Sequence, residues 1–188
     1  MKRVIIGLSG ASGTIYAANL LEHLAAVDCE IHLIASATAA AIFVQETGQT
    51  LSDFIANLDG QIIVHANTDL AALPASGSFV HAGMVIAPCS MRSLAAVATG
   101  LSDSLLTRAA DVCLKERRPL IMMTRETPLS LIHIENMRQV TLAGATVMPA
   151  SPGFYHQPQT IKNLADFMSE RVLMQLGIQV PDATAWKG

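Results

Sequence analysis

Apolar positions in this chain fall into short continuous runs, separated by longer stretches with helical spacing. The runs Val4–Leu8, Ile31–Ala35, Ile62–Val64, Met84–Ala87, Leu120–Met123 and Thr146–Met148 are bounded by glycine or polar turns and predict strands. They are continuous rather than alternating, as expected of strands covered on both faces. Between them, Ile15–Ala26, Thr38–Gln45, Met91–Thr99, Ser104–Glu116 and Ile132–Leu142 predict helices. A last helix over Ile161–Leu176 carries Ile161, Leu164, Phe167, Met168, Val172 and Leu176 at helical spacing. Strand alternating with helix predicts an α/β fold with an open, mostly parallel sheet and helices on both faces. Asp69–Ser78 reads as a loop. With no linker, repeat or low-complexity stretch, residues 1–188 read as a single domain, and residues 179–188 as a C-terminal tail that packs through Trp186.

Composition adds a constraint. Hydrophobic residues make up 51% of the chain and charged residues only 14%. A small domain has limited interior volume, so part of this apolar content is expected to cover subunit interfaces. No stretch of about 18 uncharged apolar residues occurs, so no membrane-spanning helix is expected. The start, Met-Lys-Arg-Val-Ile-Ile-Gly-Leu, resembles a signal-peptide head, but its apolar run is short and ends in a glycine turn, so it reads as a buried strand. A net charge of −3 argues against a broad nucleic-acid surface. Three cysteines, Cys29, Cys89 and Cys113, suit reduced thiols in a cytoplasmic protein.

In an open parallel sheet, ligands bind beyond the carboxyl ends of the strands. The first strand is followed by Ser9-Gly10-Ala11-Ser12-Gly13 and a helix. Such a turn either admits an anion to backbone amides at the helix start or is a plain strand–helix connection. Ser36 ends the second strand and reads as a helix cap. The fourth strand runs into Pro88-Cys89-Ser90-Met91-Arg92-Ser93, a second potential anion site, with Ser90 as the alternative cap. Cys89 has no histidine near it in sequence and reads as a packed thiol. Lys115-Glu116-Arg117-Arg118 is the pattern of a solvated charge run. After the fifth strand, Arg125 and Glu126 stand side by side. An arginine fork suits a phosphate, and a carboxyl beside that phosphate can carry a proton. The loop Pro149–Pro158 presents Phe154, Tyr155 and His156 in an aromatic-poor chain, either as a wall for a ring or apolar tail or as structural filling. The six histidines are scattered without ligand spacing, so no metal site is expected.

Together, Gly7-Leu-Ser-Gly-Ala-Ser-Gly13, Pro88-Cys-Ser90, the run from Thr107 to Leu120, Arg125-Glu-Thr-Pro-Leu129 and Gly153-Phe-Tyr-His-Gln-Pro158 resemble the UbiX-type flavin prenyltransferases in order and spacing. The resemblance covers nearly the whole chain. It implies a Rossmann-like or flavodoxin-like fold and a large homo-oligomer, often a dodecamer, with active sites where subunits meet. It implies reduced FMN and dimethylallyl monophosphate as substrates, no metal, and prenylated FMN as the product used by a UbiD-type decarboxylase in ubiquinone synthesis or aromatic-acid degradation.

By the same resemblance, Gly10, Ala11, Ser12, Ser36, Ser90, Met91, Arg92 and Ser93 are FMN contacts, and Arg125 is an FMN contact near the prenyl phosphate. Tyr155 and Arg171 are prenyl-phosphate ligands. Lys115 and Glu126 match the family's charged active-site pair, Ser12 its serine near the reacting centre, and Glu46 and Trp186 positions nearby. Ala37 stands where many members carry lysine, and Leu70 where some carry an aromatic residue, which bears on the choice of prenyl donor.

Three rival readings follow from the same residues. A flavin-dependent cysteine decarboxylase would carry an early catalytic histidine and an asparagine-rich substrate segment, and neither is present. A direct aromatic-acid decarboxylase would need a further carboxylate-binding pair. A non-catalytic flavin carrier would need only the flavin contacts and leaves Lys115, Glu126, Tyr155 and Arg171 without a role.

Overall fold

The computed structural model describes residues 1–179. Its elements are β1 (Lys2–Leu8), α1 (Thr14–Ala25), β2 (Cys29–Ala35), α2 (Ala37–Thr47), α3 (Leu51–Ala56), β3 (Gln61–Ala66), β4 (Met84–Cys89), α4 (Met91–Ala98), α5 (Leu105–Lys115), β5 (Leu120–Thr124), α6 (Leu131–Leu142), β6 (Thr146–Val147) and α7 (Ile161–Gln175). The strands form one sheet in the order β3-β2-β1-β4-β5-β6, and every neighbouring pair is parallel. The chain therefore runs outward from β1 through β2 to β3, then returns to β4 and runs outward the other way. The loops after β1 and β4 diverge at this reversal and leave a crevice between them.

Each apolar run contributes to both sheet faces because side chains alternate along a strand. Val4, Ile6 and Leu8 of β1 pack with Leu20, Leu21 and Leu24 of α1, Phe43 of α2 and Val172 of α7. Ile5 joins the opposite layer, with Met84 and Ile86 of β4, Leu94 of α4 and Leu106 and Ala109 of α5. This is the doubly covered sheet expected from the continuous runs. The exception is β3. Its place at the sheet edge leaves Val64 60% exposed and Ile63 36% exposed, so the expectation of two covered faces fails for that strand. Helix α6 is exposed in a similar way. Only Val140 is buried, while Leu131, Ile132 and Leu142 stand about 70% open to solvent. Among the described residues, no helix is long and apolar enough to cross a membrane.

Helix starts position the site. Six of the seven α-helices among the described residues follow a Ser or Thr whose side chain accepts the amide three residues on: Ser36, Thr50, Ser90, Ser104, Ser130 and Thr160. Helix α1 follows Gly13 in the left-handed region, at φ 99°, and glycine has no side chain to cap with. The carboxylate of Glu46, on α2, supplies the missing acceptor. It accepts the Gly13 amide at 3.0 and 3.1 Å, the Thr14 amide at 2.7 Å and the Thr14 hydroxyl at 2.7 Å.

Partial burial pushes the Glu46 carboxyl up. Hydrogen bonds from Thr14, from the Ser12 hydroxyl and from the Gly13 amide outweigh that and hold it below the ordinary carboxylate value. A carboxyl depressed by folding stabilises the protein at neutral pH, and that stability is lost as pH falls below the unfolded value through the folded one. Glu46→Gln should therefore lower stability by about 1 kcal/mol at pH 7, a small figure because the carboxylate is solvent-exposed. Urea unfolding at pH 7 and below the carboxylate range checks this. The gap between the two proteins should close in acid, and an equal gap at both pH values would contradict it.

Candidate active site

A cavity of about 570 Å³ opens at the reversal point, beyond the carboxyl ends of β1, β2 and β4. Three helices aim their first turns at it. Ser36 and Thr38 come from the start of α2, Arg92 and Ser93 from α4, and Ser104 and Thr107 from α5. Helix N-termini carry partial positive charge and unpaired amides, so three of them beside a guanidinium suit an anion. Gly10 forms part of the wall, where a Cβ would lie 2.7 Å from Thr38 Cγ2, so the backbone approaches α2 only because the residue is glycine.

Local hydrogen bonds set this geometry. Ser36 Oγ accepts the Ala39 amide at 3.1 Å. Ser90 Oγ accepts the Ser93 amide at 3.2 Å and donates to Ser93 Oγ at 3.2 Å. Both serines are caps, as expected, and Ser36 also faces the cavity. Ser9, almost fully buried, donates to the Pro88 carbonyl at 2.9 Å and accepts the Ser90 amide at 2.7 Å, tying the loop after β1 to the end of β4. Asn67, after β3, holds the start of α5. Its carbonyl takes the Leu105 amide at 2.8 Å and its side-chain oxygen the Leu106 amide at 3.0 Å. Sequence reasoning missed Thr38, Asn67, Ser104 and Thr107. The Ser/Thr cap signal before α5 was the one available clue.

The glycine turn has its own internal acceptor. The amides of Gly13 and Thr14 are taken by Glu46, which favours the plain strand–helix connection for the α1 start. The Ser12 hydroxyl is exposed and hydrogen-bonded to the same carboxylate. Glu46 satisfies the helix start from within, and Ser12 keeps lone pairs to accept a donor from a ligand.

A second cavity, about 330 Å³, lies beyond β5 and β6. Arg125 and Glu126 line it together with Leu129, Met137 and Pro149. Arg125 also reaches back across the end of β4, so that its Cγ lies 3.9 Å from where a Cβ on Gly13 would stand. It thus joins the two sides of the crevice. Glu126 is exposed and accepts the amide of Thr127 at 3.0 Å. In the loop after β6, the Tyr155 ring meets Phe167 of α7 edge-on at 5.7 Å, and His156 stacks on Phe167 at 5.3 Å. A Cβ on Gly153 would lie 2.9 Å from the Tyr155 ring. Tyr155 and His156 thus cluster on Phe167, whereas Phe154, expected beside them, is 69% exposed.

Other expected site residues stand apart. Helix α5 starts at the first cavity and ends at Lys115, which closes over Gly77 in an ion pair with Glu116 at the far end of the helix. Lys115 and Glu126 are therefore not brought together within one chain. The nearby Arg118 is more than a solvated charge, since it donates to the carbonyls of Phe79 and Gly77 at 2.7 and 2.5 Å. Arg171 is exposed on α7. The Met91 side chain is buried in the core beside α4 and offers a ligand only its backbone. Burial pushes the Cys89 thiol up to about 12, which removes it as a nucleophile. Trp186 lies outside the described residues.

A model of the Flavoprotein family matches residues 1–173. The flavin prenyltransferase UbiX of Neisseria meningitidis serogroup B is 46% identical over 188 residues, covering all of this chain and 98% of its own. UbiX of Escherichia coli K12 is 45% identical over 191 residues, with both chains covered in full. Among solved structures, AnUbiX (PadA1) in complex with FMN and dimethylallyl pyrophosphate aligns over 100% of this chain and 98% of its own, with TM-score 0.94 and 40% identity. A dodecameric FMN-dependent UbiX-like decarboxylase from E. coli O157:H7 aligns over 99% of this chain and 100% of its own, with TM-score 0.92 and 39% identity. This chain belongs to the UbiX-type flavin prenyltransferase family.

Proposed function

We propose that this protein joins the dimethylallyl group of dimethylallyl monophosphate to N5 and C6 of reduced FMN and releases prenylated FMN for a UbiD-type decarboxylase. The observation that carries this reading is the reach of Arg125 to the Gly13 turn, which sets a phosphoester cation and the Glu126 acid beside the flavin turn.

The residues divide the work. Ser36, Thr38, Arg92 and the starts of α2, α4 and α5 hold the FMN phosphate. Gly10, Ala11, Ser12, Ser90 and Ser93 line the flavin's path along the crevice, with Met91 contributing its backbone. The C1–oxygen bond of the prenyl phosphate breaks as C1 bonds to N5, and the bonding pair leaves with the phosphate. Arg125, Tyr155, Lys115 and Arg171 stabilise the charge gathering on that leaving group. Glu126 hands it a proton. The Ser12 hydroxyl relays the N5 proton to the Glu46 carboxylate to which it is hydrogen-bonded. In ring closure C3 of the prenyl chain bonds to C6 as its double bond takes a proton at C2 and C6 gives one up; the freed phosphate supplies the first and takes up the second. The apolar side chains of the second cavity and the Tyr155 wall shelter the allylic group from water.

Lys115 lies too far along α5 to serve its own chain's site, so it acts on a neighbouring subunit's. The assembly is a homo-oligomer, a dodecamer in this reading, and the open apolar faces of α6 and β3 supply its contact area. Three cysteines left as thiols accord with a cytoplasmic location.

Anaerobic incubation with reduced FMN and dimethylallyl monophosphate, read by mass spectrometry, tests the activity. The flavin should gain one prenyl unit, and unmodified flavin would leave only a carrier. Glu126→Gln should keep FMN binding and lose roughly 10²- to 10⁴-fold in turnover, the range for one acid–base group. Unchanged turnover would remove Glu126 from the scheme.

A further inference from the structure

The stem of Arg125 lies beside the turn that starts α1, its Cγ 3.9 Å from where a Cβ on Gly13 would stand. Gly13 lies beneath the Tyr16 ring, and a Cβ there would meet Tyr16 Cδ2 at 3.2 Å, Tyr16 Cε2 at 3.4 Å and Arg125 Cγ at 3.9 Å. The Tyr16 amide donates to the Gly13 carbonyl at 3.0 Å, which fixes the ring's origin on the same turn that Glu46 holds. The ring packs against the core layer shared by α1 and α7, so it is anchored on its far side. Burial raises the Tyr16 phenol above its ordinary value, and the Arg125 charge acts in the opposite direction, which places the guanidinium within electrostatic reach of the ring.

We propose that Tyr16 is a positioning residue for Arg125. Its ring and the bare Gly13 backbone form a shelf that supports the arginine stem and directs the guanidinium toward the prenyl phosphate. A long cationic side chain packs its alkyl stem along apolar surface while its head stays free. A pre-aimed head loses less freedom when the phosphate arrives. The shelf needs a flat ring and a residue without Cβ. Leucine at position 16 offers bulk without flatness, and phenylalanine keeps the flatness. The inference rests on the prenyl-transfer reading above.

The experiment uses the full chain, with Tyr16→Leu and Tyr16→Phe made alone and on an Arg125→Ala background. Tyr16→Leu should raise KM for dimethylallyl monophosphate about tenfold, a loss in the range of contact couplings. The Kd for FMN should hold, and Tyr16→Phe should stay close to the unsubstituted protein. On the Arg125→Ala background, Tyr16→Leu should add nothing, because the group it positions is gone. A KM unchanged by Tyr16→Leu would overturn the proposal, as would a penalty that persists in full without Arg125. If the unsubstituted protein makes no prenylated flavin, the functional reading fails separately. Calorimetric binding of dimethylallyl monophosphate to the same variants then still decides the role of Tyr16.

Discussion

Helix α1 starts on a glycine with no side chain to offer its first amides, and the Glu46 carboxylate fills that gap from α2. The layout of the crevice depends on this contact. The carboxylate occupies the Gly13 and Thr14 amides at the start of α1. The starts of α2, α4 and α5 converge instead on the cavity beside Arg92. The same carboxylate receives the Ser12 hydroxyl and holds the Gly13 amide, beside which the Tyr16 ring and the Arg125 stem lie. One ionised side chain therefore ties α2 to the Ser12 hydroxyl and to the turn beside Arg125.

Much of this was legible in the sequence because the signals are local. A continuous apolar run such as Val4–Leu8 has few folds open to it besides a doubly covered strand, and β1 is that strand. Ser36 and Ser90 were readable as caps because the bond reaches only three residues ahead. The alternation of strands and helices placed the loops after β1, β4, β5 and β6 at the carboxyl edge of the sheet. Motif order then tied those loops to one family, and full-length likeness to UbiX proteins bears that out.

What stayed hidden depends on distance along the chain or on edges. Glu46 lies 33 residues from Gly13, and no local pattern links a carboxylate on α2 to a glycine before α1. Tyr16 reads as an ordinary helical residue until Arg125 is seen arriving from across β4. Helix α3 has only six residues, too few for periodicity to register. The run Ile62–Val64 looks like a buried strand, and only strand order reveals it at the edge. Lys115 shows a further limit. Its motif marks it as a site residue, yet α5 carries it to the opposite end of the chain's own sheet.

The division of labour between Glu46 and the three converging helices is open to direct observation in a crystal of the protein grown with FMN and dimethylallyl monophosphate. The account predicts the FMN phosphate within hydrogen-bonding distance of Ser36, Thr38 and Arg92, with Glu46 still bound to the Gly13 and Thr14 amides and the Arg125 guanidinium on the prenyl phosphate. An FMN phosphate seated on the Gly13 and Thr14 amides, with Glu46 displaced into solvent, would contradict it.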